Sequence, residues 1–276
     1  PEGRKDYLAR GGVILTTGGY GANEAMVDKY IGPWASRLIV RGSPWITGEN
    51  ILMAEEVQAL LVNMDQFYAG PITPTGHCNP SPLMHAGYGI QVNTKGKRFV
   101  PETWLQVPKA KAIAERTEDN RSFMLIGADA DKNAQILTNT IKRFARLGFE
   151  VIKADTIEEA AKKAGVPEKN LVETVREFNA AVKAGKAKEL DPPYDYDEPH
   201  ALETGPFYMI PAAGGMASTF GGPKINKDAQ VVNFERRPIP GLYAAGAAAG
   251  GVWVYDDIGG NQLGGGMVFG RVAARH

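Results

Sequence analysis

The sequence predicts an α/β fold in which both chain ends build one domain and the middle forms a second, inserted α+β lobe. Three observations carry this. Gly12-Val-Ile-Leu-Thr-Thr17 is a compact β-rich run that ends at Gly18-Gly19-Tyr20-Gly21. Residues 242–245 form a second short apolar run, followed by Gly246, Gly250 and Gly251. Residues 33 to about 205 lack this strand–glycine rhythm and mix helices, prolines and polar loops. The expected division is 1–32 and 206–276 for the first domain and 33–205 for the inserted lobe.

Local signals justify each element. After the first strand, residues 22–30 read as a short helix. Residues 50–63 place apolar side chains at helical spacing, and residues 131–147 read as another helix, ended by Gly148. Lys95-Gly-Lys-Arg98 is most simply a charged hairpin turn. Thr156 with Glu159 makes a capping box, and Gly165 ends the helix that it starts. Pro167 suits the first turn of the next helix, which Gly185 ends. Residues 186–203 contain Asp-Pro-Pro-Tyr-Asp-Tyr-Asp-Glu-Pro and read as the loop that returns the chain to the first domain. Residues 206–210 and a hairpin around Asn226-Lys-Asp-Ala229 lead to the final strand. There is no internal repeat and no low-complexity segment.

Composition excludes several function classes. In 276 residues, 31 basic side chains balance 31 acidic ones, so no overall field favours nucleic acid or an anionic membrane surface. A hydrophobic content of 43% suits a globular core and argues against disorder. No apolar stretch approaches the ~20 residues that span a bilayer. The single cysteine, Cys78, excludes an internal disulfide, and with His77 and His85 it lies among prolines without an acidic fourth ligand, so no metal is expected. The compartment is left open, the cytoplasm being the default expectation.

The C-terminal glycines suggest a cofactor. After residues 242–245 come Gly246, Gly250-Gly251, and Ile258-Gly-Gly-Asn-Gln-Leu-Gly-Gly-Gly266. Glycines after a buried strand let backbone approach a flat ring such as a flavin, and a helix starting near Gln262 would aim free N–H groups at it. No Gly-x-Gly-x-x-Gly follows a strand anywhere, so the usual pyrophosphate cradle is absent. The expectation is that a second polypeptide, or an N-terminal fragment, supplies that strand–turn–helix.

Four motifs in order, Gly12-Val-Ile-Leu-Thr-Thr-Gly-Gly19, Val92-Asn-Thr-Lys-Gly-Lys-Arg-Phe-Val-Pro-Glu102, Phe220-Gly-Gly-Pro-Lys-Ile225 and Ile239-Pro-Gly-Leu-Tyr-Ala-Ala-Gly246, resemble the fumarate reductase and 3-ketosteroid dehydrogenase flavoproteins. The likeness runs from about Gly11 to Arg275 and covers the part of the family that follows its first nucleotide-binding unit. It implies a Rossmann-like FAD-binding domain built from both chain ends and an inserted capping domain. It also implies that Thr16, Thr17, Gly18, Gly19, Gly221, Gly222, Gly246, Ala247, Gly260, Asn261, Gln262 and Leu263 lie at the FAD. Ala247 stands where the family often has an acid for the ribityl chain.

The resemblance also says what the substrate is not. In the fumarate-reducing branch a His and an Arg hold the dicarboxylate at the positions of Ser218 and Asp257, and an Arg in the cap donates the proton near Asp131 or Lys132. Glu102 leads toward that proton-delivery region, but the arginine expected three residues later is Leu105. Replacing a carboxylate-binding Arg by Asp repels an anion, so fumarate and succinate are rejected. Steroid-acting relatives place a tyrosine at or next to this spot. Tyr255 is therefore the first choice of acid/base, with Asp256 and Asp257 as carboxylates that could share the role, and Ser218 and Thr219 border the substrate. An exposed turn is the alternative reading of residues 255–257.

The expected activity is an FAD-dependent oxidoreductase that moves a hydride to or from a carbon–carbon bond adjacent to a carbonyl. The substrate would be uncharged or hydroxylated, possibly cyclic. Direction and electron partner are open. Alcohol or amine oxidation on the same scaffold, or a non-catalytic flavoprotein subunit, are the alternatives.

Overall fold

A computed structural model describes residues 5–74, 89–128, 134–149, 151–255 and 261–276. Contacts divide the chain into two compact units: Pro1–Ser36, Gly42–Tyr68 and Met216–His276 in the first, Arg37–Arg41 and Ala69–Gly215 in the second.

In the first unit, β1 (Val13–Leu15) lies parallel to β11 (Pro238–Ala244), pairing Val13 with Leu242, Ile14 with Tyr243 and Leu15 with Ala244. The two chain ends therefore share one sheet, and a parallel pair needs the long crossover that the rest of the chain provides. The antiparallel strand β10 (Gln230–Val232) flanks β11 on its other side, leaving β1 at the edge. The turn before β10 is the expected hairpin: Asn226 Oδ1 accepts from the N–H groups of Asp228 and Gln230, and Ala229 adopts φ +62°. Helix α1 (Glu24–Tyr30) starts where Asn23 accepts from the Met26 N–H at 3.1 Å. Helix α7 (Asn261–Arg275) ends the chain.

Residues 42–68 belong to this unit, although the sequence reading assigned them to the inserted lobe. The predicted helix over 50–63 is α2 (Glu49–Glu56), and it stops early. Gln58 takes φ +57° and Asn63 φ +54°, and between them β3 (Leu61–Val62) pairs antiparallel with β9 (Gly222–Pro223). Tertiary pairing overrides the helical period of the side chains here. The core of the unit joins Leu15, Ala54, Ala59, Val231, Ala244 and Ala249.

The second unit is organised on β8 (Phe207–Thr219), of which residues 216–219 already belong to the first unit. The sequence reading took residues 206–210 only as a segment leading to the final strand. It runs on because its residues are buried almost without interruption, and Gly214 and Gly215 admit no Cβ: one would lie 2.5 Å from the Ala110 carbonyl oxygen, the other 2.6 Å from Ile72 Cδ1. Sheet order is β2-β8-β6-β5, with β2 at Ile39–Val40, β6 at Ser122–Ile126 and β5 at Gly89–Asn93; β4 (Phe67–Ile72) and β7 (Ile152–Ala154) also pair with β8.

Side chains alternate across this sheet as strand geometry requires. Ile90, Val92, Leu125 and Met209 pack with Ile157, Leu171, Val175 and Phe178 of α5 (Ile157–Ala164) and α6 (Glu168–Lys183). Met124, Ile126, Ile210 and Ala212 face the other way, with Phe144 of α4 (Ala134–Arg146). The caps read from sequence are present: Thr156 accepts from the Glu159 N–H at 3.1 Å, and Gly165 closes α5 at φ +69°. Glu159 reaches back to the Asp155 N–H at 2.7 Å and also accepts from the Thr156 backbone, and Pro167 is the N-cap of α6 rather than its first residue. Helix α3 (Gln106–Arg116) was not read from sequence: Leu105, its N-cap, offers no capping side chain, and Pro108 sits in its first turn, where proline is tolerated.

Candidate functional site

In the first unit, a side-chain carbon on several glycines would strike neighbouring atoms. The turn after β1 leaves Thr16 and Thr17 exposed. Gly18 takes φ +86°, and a Cβ there would lie 2.9 Å from Ile46 Cγ2. At Gly19 a Cβ would collide with Thr219 Oγ1, the atom that accepts the Tyr20 N–H at 3.1 Å. Thr219 is fully buried; Ser218, also buried, donates its hydroxyl to the Thr219 carbonyl at 3.2 Å.

A second set of close approaches follows β8. A Cβ on Gly221 would lie 2.6 Å from Met64 Cα, and one on Gly222 would lie 2.6 Å from the Ala248 carbonyl oxygen. Gly250 sits against Gly222 and donates its N–H to the Pro223 carbonyl at 2.9 Å. Gly246–Ala248 is a single 3-10 turn. It starts at φ +69° in Gly246, where a Cβ would be 3.6 Å from Gly266 Cα, and Ala247 is half-buried within it. The Ala245 N–H ties this turn to β1 through the Leu15 carbonyl at 3.1 Å.

Two features here were not read from sequence. Asn50, in the first turn of α2, is fully buried and donates Nδ2–H to the Ala248 carbonyl at 2.9 Å, while its Oδ1 has no partner among the described residues. The turn over residues 63–66 is a junction. Met64 carbonyl accepts the Tyr20 hydroxyl, whose proton burial holds well above its usual range. Gln66 carbonyl accepts the Phe220 N–H at 2.9 Å, and its side chain accepts the Tyr255 N–H at 3.2 Å; Asn63 Nδ2 donates to the Trp253 carbonyl at 3.1 Å. Short polar residues at a positive φ were the available signal for Asn63, whose side-chain partner Trp253 is remote in sequence.

Tyr255 is 77% exposed and holds φ +67°, a conformation an aromatic residue adopts only under constraint. Its hydroxyl makes no hydrogen bond among the described residues. Asp256, Asp257 and Gly260 lie outside the described residues, as do His77, Cys78, His85, Asp131 and Lys132. Gln262 is half-buried at the start of α7 and Leu263 is exposed; of Asn261 only the helical backbone is described. Among the described residues no group of three His, Cys, Asp or Glu could hold a metal, and no helix is long and apolar enough to cross a membrane.

Close packing of backbone at Gly221, Gly222 and Gly250 shapes these turns, and beside them Thr16, Thr17 and Leu263, at the start of α7, are exposed and within reach of a cofactor. Residues 1–263 match the family described as FAD binding domain. The NADH:acrylate oxidoreductase of Vibrio harveyi is 33% identical over 270 residues, which are 95% of this chain and 26% of that protein. Among solved structures, an open conformation of a flavocytochrome c3 fumarate reductase superposes with TM-score 0.76 at 30% identity, over 95% of this chain and 45% of that one. The 3-ketosteroid delta1-dehydrogenase of Sterolibacterium denitrificans superposes with TM-score 0.72 at 26% identity, over 97% and 53%. The chain thus spans from about a quarter to half the length of these relatives.

Proposed function

The chain belongs to the FAD binding domain family, and from that premise we propose that it is part of an FAD-dependent oxidoreductase acting on a carbon–carbon bond next to an activating carbonyl. The observation that carries this reading is the match of residues 1–263 to that family, a stretch that includes the glycine turns at 18–19, 221–222 and 246–251. The relatives support the reaction class, because acrylate, fumarate and 3-ketosteroids all present a carbonyl or carboxyl group that can be conjugated to a carbon–carbon double bond.

Bound FAD would supply hydride acceptance or donation at its N5. Thr16, Thr17, Gly18, Gly19, Gly221, Gly222, Gly246, Ala247, Gly260, Asn261, Gln262 and Leu263 would hold it, with free N–H groups at the start of α7 favouring negative charge there. Tyr255, or its neighbour Asp256 or Asp257, would move the proton. The exposure and constrained backbone of Tyr255 support a role other than packing. Ser218 would border a substrate that is uncharged or hydroxylated, because Asp257 stands where a dicarboxylate needs a cation, while Thr219, fully buried with its Oγ1 accepting the Tyr20 N–H, would act through the turn it holds.

A Gly-x-Gly-x-x-Gly turn from a second polypeptide or a further N-terminal segment would complete the cofactor site. Two observations support it: β1 is an edge strand exposing Val13 and Ile14, and α7 exposes Leu263, Met267 and Val268. Together they offer an apolar surface that suits a covering strand and helix.

The test combines the full chain, FAD and a segment carrying that turn, reduces the flavin without oxygen, and adds acceptors. Cyclic enones should reoxidise it and fumarate should not. Tyr255→Phe or Asp257→Asn should slow reoxidation about 10²–10⁴-fold if the residue moves the proton. Flavin that stays reduced with every acceptor would sink the reading.

A further inference from the structure

The second unit carries a groove of about 640 Å³ built wholly from its own residues, a size within the ~300–1,000 Å³ usual for small-molecule sites. One wall is a face of α6, where Val172, Val175, Asn179 and Lys183 recur at three- and four-residue spacing. The start of α5 and the residues just before it, Asp155 to Glu158, form another wall. The apolar lining is itself well packed: Ile157, Val175, Leu202 and Phe207 are all buried.

The groove is preformed. Asn179 grips Leu202 by both of its backbone groups, donating Nδ2–H to the Leu202 carbonyl at 2.8 Å and accepting the Leu202 N–H on Oδ1 at 2.7 Å. Gly205 lies so close to the Asp155 backbone that a Cβ would be 2.5 Å from the carbonyl oxygen, which sets the segment over 202–205 against the end of β7. Walls held in this way lose little freedom when a ligand enters.

The charges along its rim are unevenly matched. Lys183 Nζ is paired with Glu203 at 2.5 Å, and Arg176 meets Glu173 at 3.6 Å. The start of α5 already has a cap, because Thr156 Oγ1 accepts the Glu159 N–H at 3.1 Å. Asp155 and Glu158 are exposed, and among the described residues neither carboxylate has a hydrogen bond or an ion pair. The cations are engaged and the acids are free, so the groove complements a positive charge rather than a negative one.

We propose that this groove binds a small organic cation, an amine or guanidinium carried on an apolar ring or chain. The apolar part lies against Val175, Leu202 and Phe207, and the charged head meets Asp155 and Glu158. The site is independent of the reaction proposed above: its residues all belong to the second unit, and none of them is assigned a part in flavin binding or proton transfer.

The test titrates three matched indoles into the full chain, with its methyl groups isotope-labelled, and follows them by NMR: tryptamine as the cation, tryptophol as the neutral analogue and indole-3-propionate as the anion. Tryptamine should give saturable shifts at the methyls of Ile157, Val172, Val175 and Leu202 and should bind tighter than either analogue. Asp155→Asn combined with Glu158→Gln should weaken tryptamine about 2–25-fold, from about 1.5–5-fold for each exposed ion pair, and should leave tryptophol unchanged. Ala180→Trp, at an exposed position on the α6 wall, should fill the groove and abolish the shifts. Indole-3-propionate binding as tightly as tryptamine, tryptamine binding that survives Ala180→Trp, or groove methyls that do not move at millimolar tryptamine overturns the proposal. The comparison of the three ligands on the parent chain depends on no variant folding.

Discussion

Gly250→Ala isolates the close packing on which the cofactor-facing turns depend. The φ of Gly250 lies outside the left-handed region, so alanine meets no backbone penalty and the whole cost comes from contact. Its Cβ would overlap the Gly222 carbonyl oxygen and lie 2.7 Å from both C and N of Gly222, so the two segments must part. Overpacking of this kind costs about 1–3 kcal/mol. Parting also strains the Gly250 N–H bond to Pro223, at 2.9 Å, which is worth about 0.5–1.5 kcal/mol. Alanine recovers about 0.4–1 kcal/mol by restricting the unfolded chain. The net loss is about 2 kcal/mol, or roughly 4–8 °C in melting temperature. Thermal unfolding followed by circular dichroism measures it, with Gly264→Ala as the control. Nothing lies within 4 Å of a Cβ at Gly264, inside α7, so that change should stabilise by about 0.5–1 kcal/mol. A Gly250→Ala protein melting within about 1 °C of the parent, or a Gly264→Ala protein equally damaged, would refute the reasoning.

Other perturbations probe the second unit. Glu102→Gln leaves the Arg98 guanidinium buried without its carboxylate and should cost about 3–5 kcal/mol in urea unfolding; a loss under about 1 kcal/mol would mean that water reaches the pair. Thr156→Ala removes the acceptor for the Glu159 N–H and should cost about 1 kcal/mol, with Thr156→Ser retaining most of it. Lys109 is fully buried in α3, which lowers the pKa of its amine, and Lys109→Met should stabilise the fold at pH 7. The folded-state value of about 8 lies below 10.5 in the unfolded chain, so the unfolded state binds more protons between those values and stability rises with pH there. The cost of burying the charge, on the order of 3 kcal/mol, is complete below pH 8 and gone above 10.5. The advantage of Lys109→Met should therefore shrink between pH 8 and 10.5, and an advantage that grows with pH contradicts the assignment.

Where a signal is local, the sequence is readable. The caps at Thr156 and Gly165 each need only residues within a turn, and the run over 12–17 ends in glycines that could only be a turn. Both chain ends were also assigned to one domain, and β1 does pair with β11. The assignment of 42–68 failed for the opposite reason: β3 and β9 are two-residue strands, given meaning only by each other, and α2 is kept in the first unit by Asn50 reaching Ala248. The junction at 63–66 escaped notice likewise, because its partners Tyr20, Phe220, Trp253 and Tyr255 converge only after folding. Lys109 looks like a surface lysine on an amphipathic helix until the burial of Glu102 and Arg98 is known. The glycines of the candidate site were legible as a set, whereas which backbone each one meets was not.

The central claim is that the converging turns of the first unit hold a flavin. Its most direct test is the absorption spectrum of the purified protein, taken with the intact mass of every polypeptide that accompanies it, and repeated after adding FAD with a segment bearing the Gly-x-Gly-x-x-Gly turn. The account predicts bound flavin whenever that turn is present, at one per chain, and weaker binding in Gly250→Ala. A protein that binds no flavin even with the turn supplied, or binds it as well after Gly250→Ala as before, would contradict it.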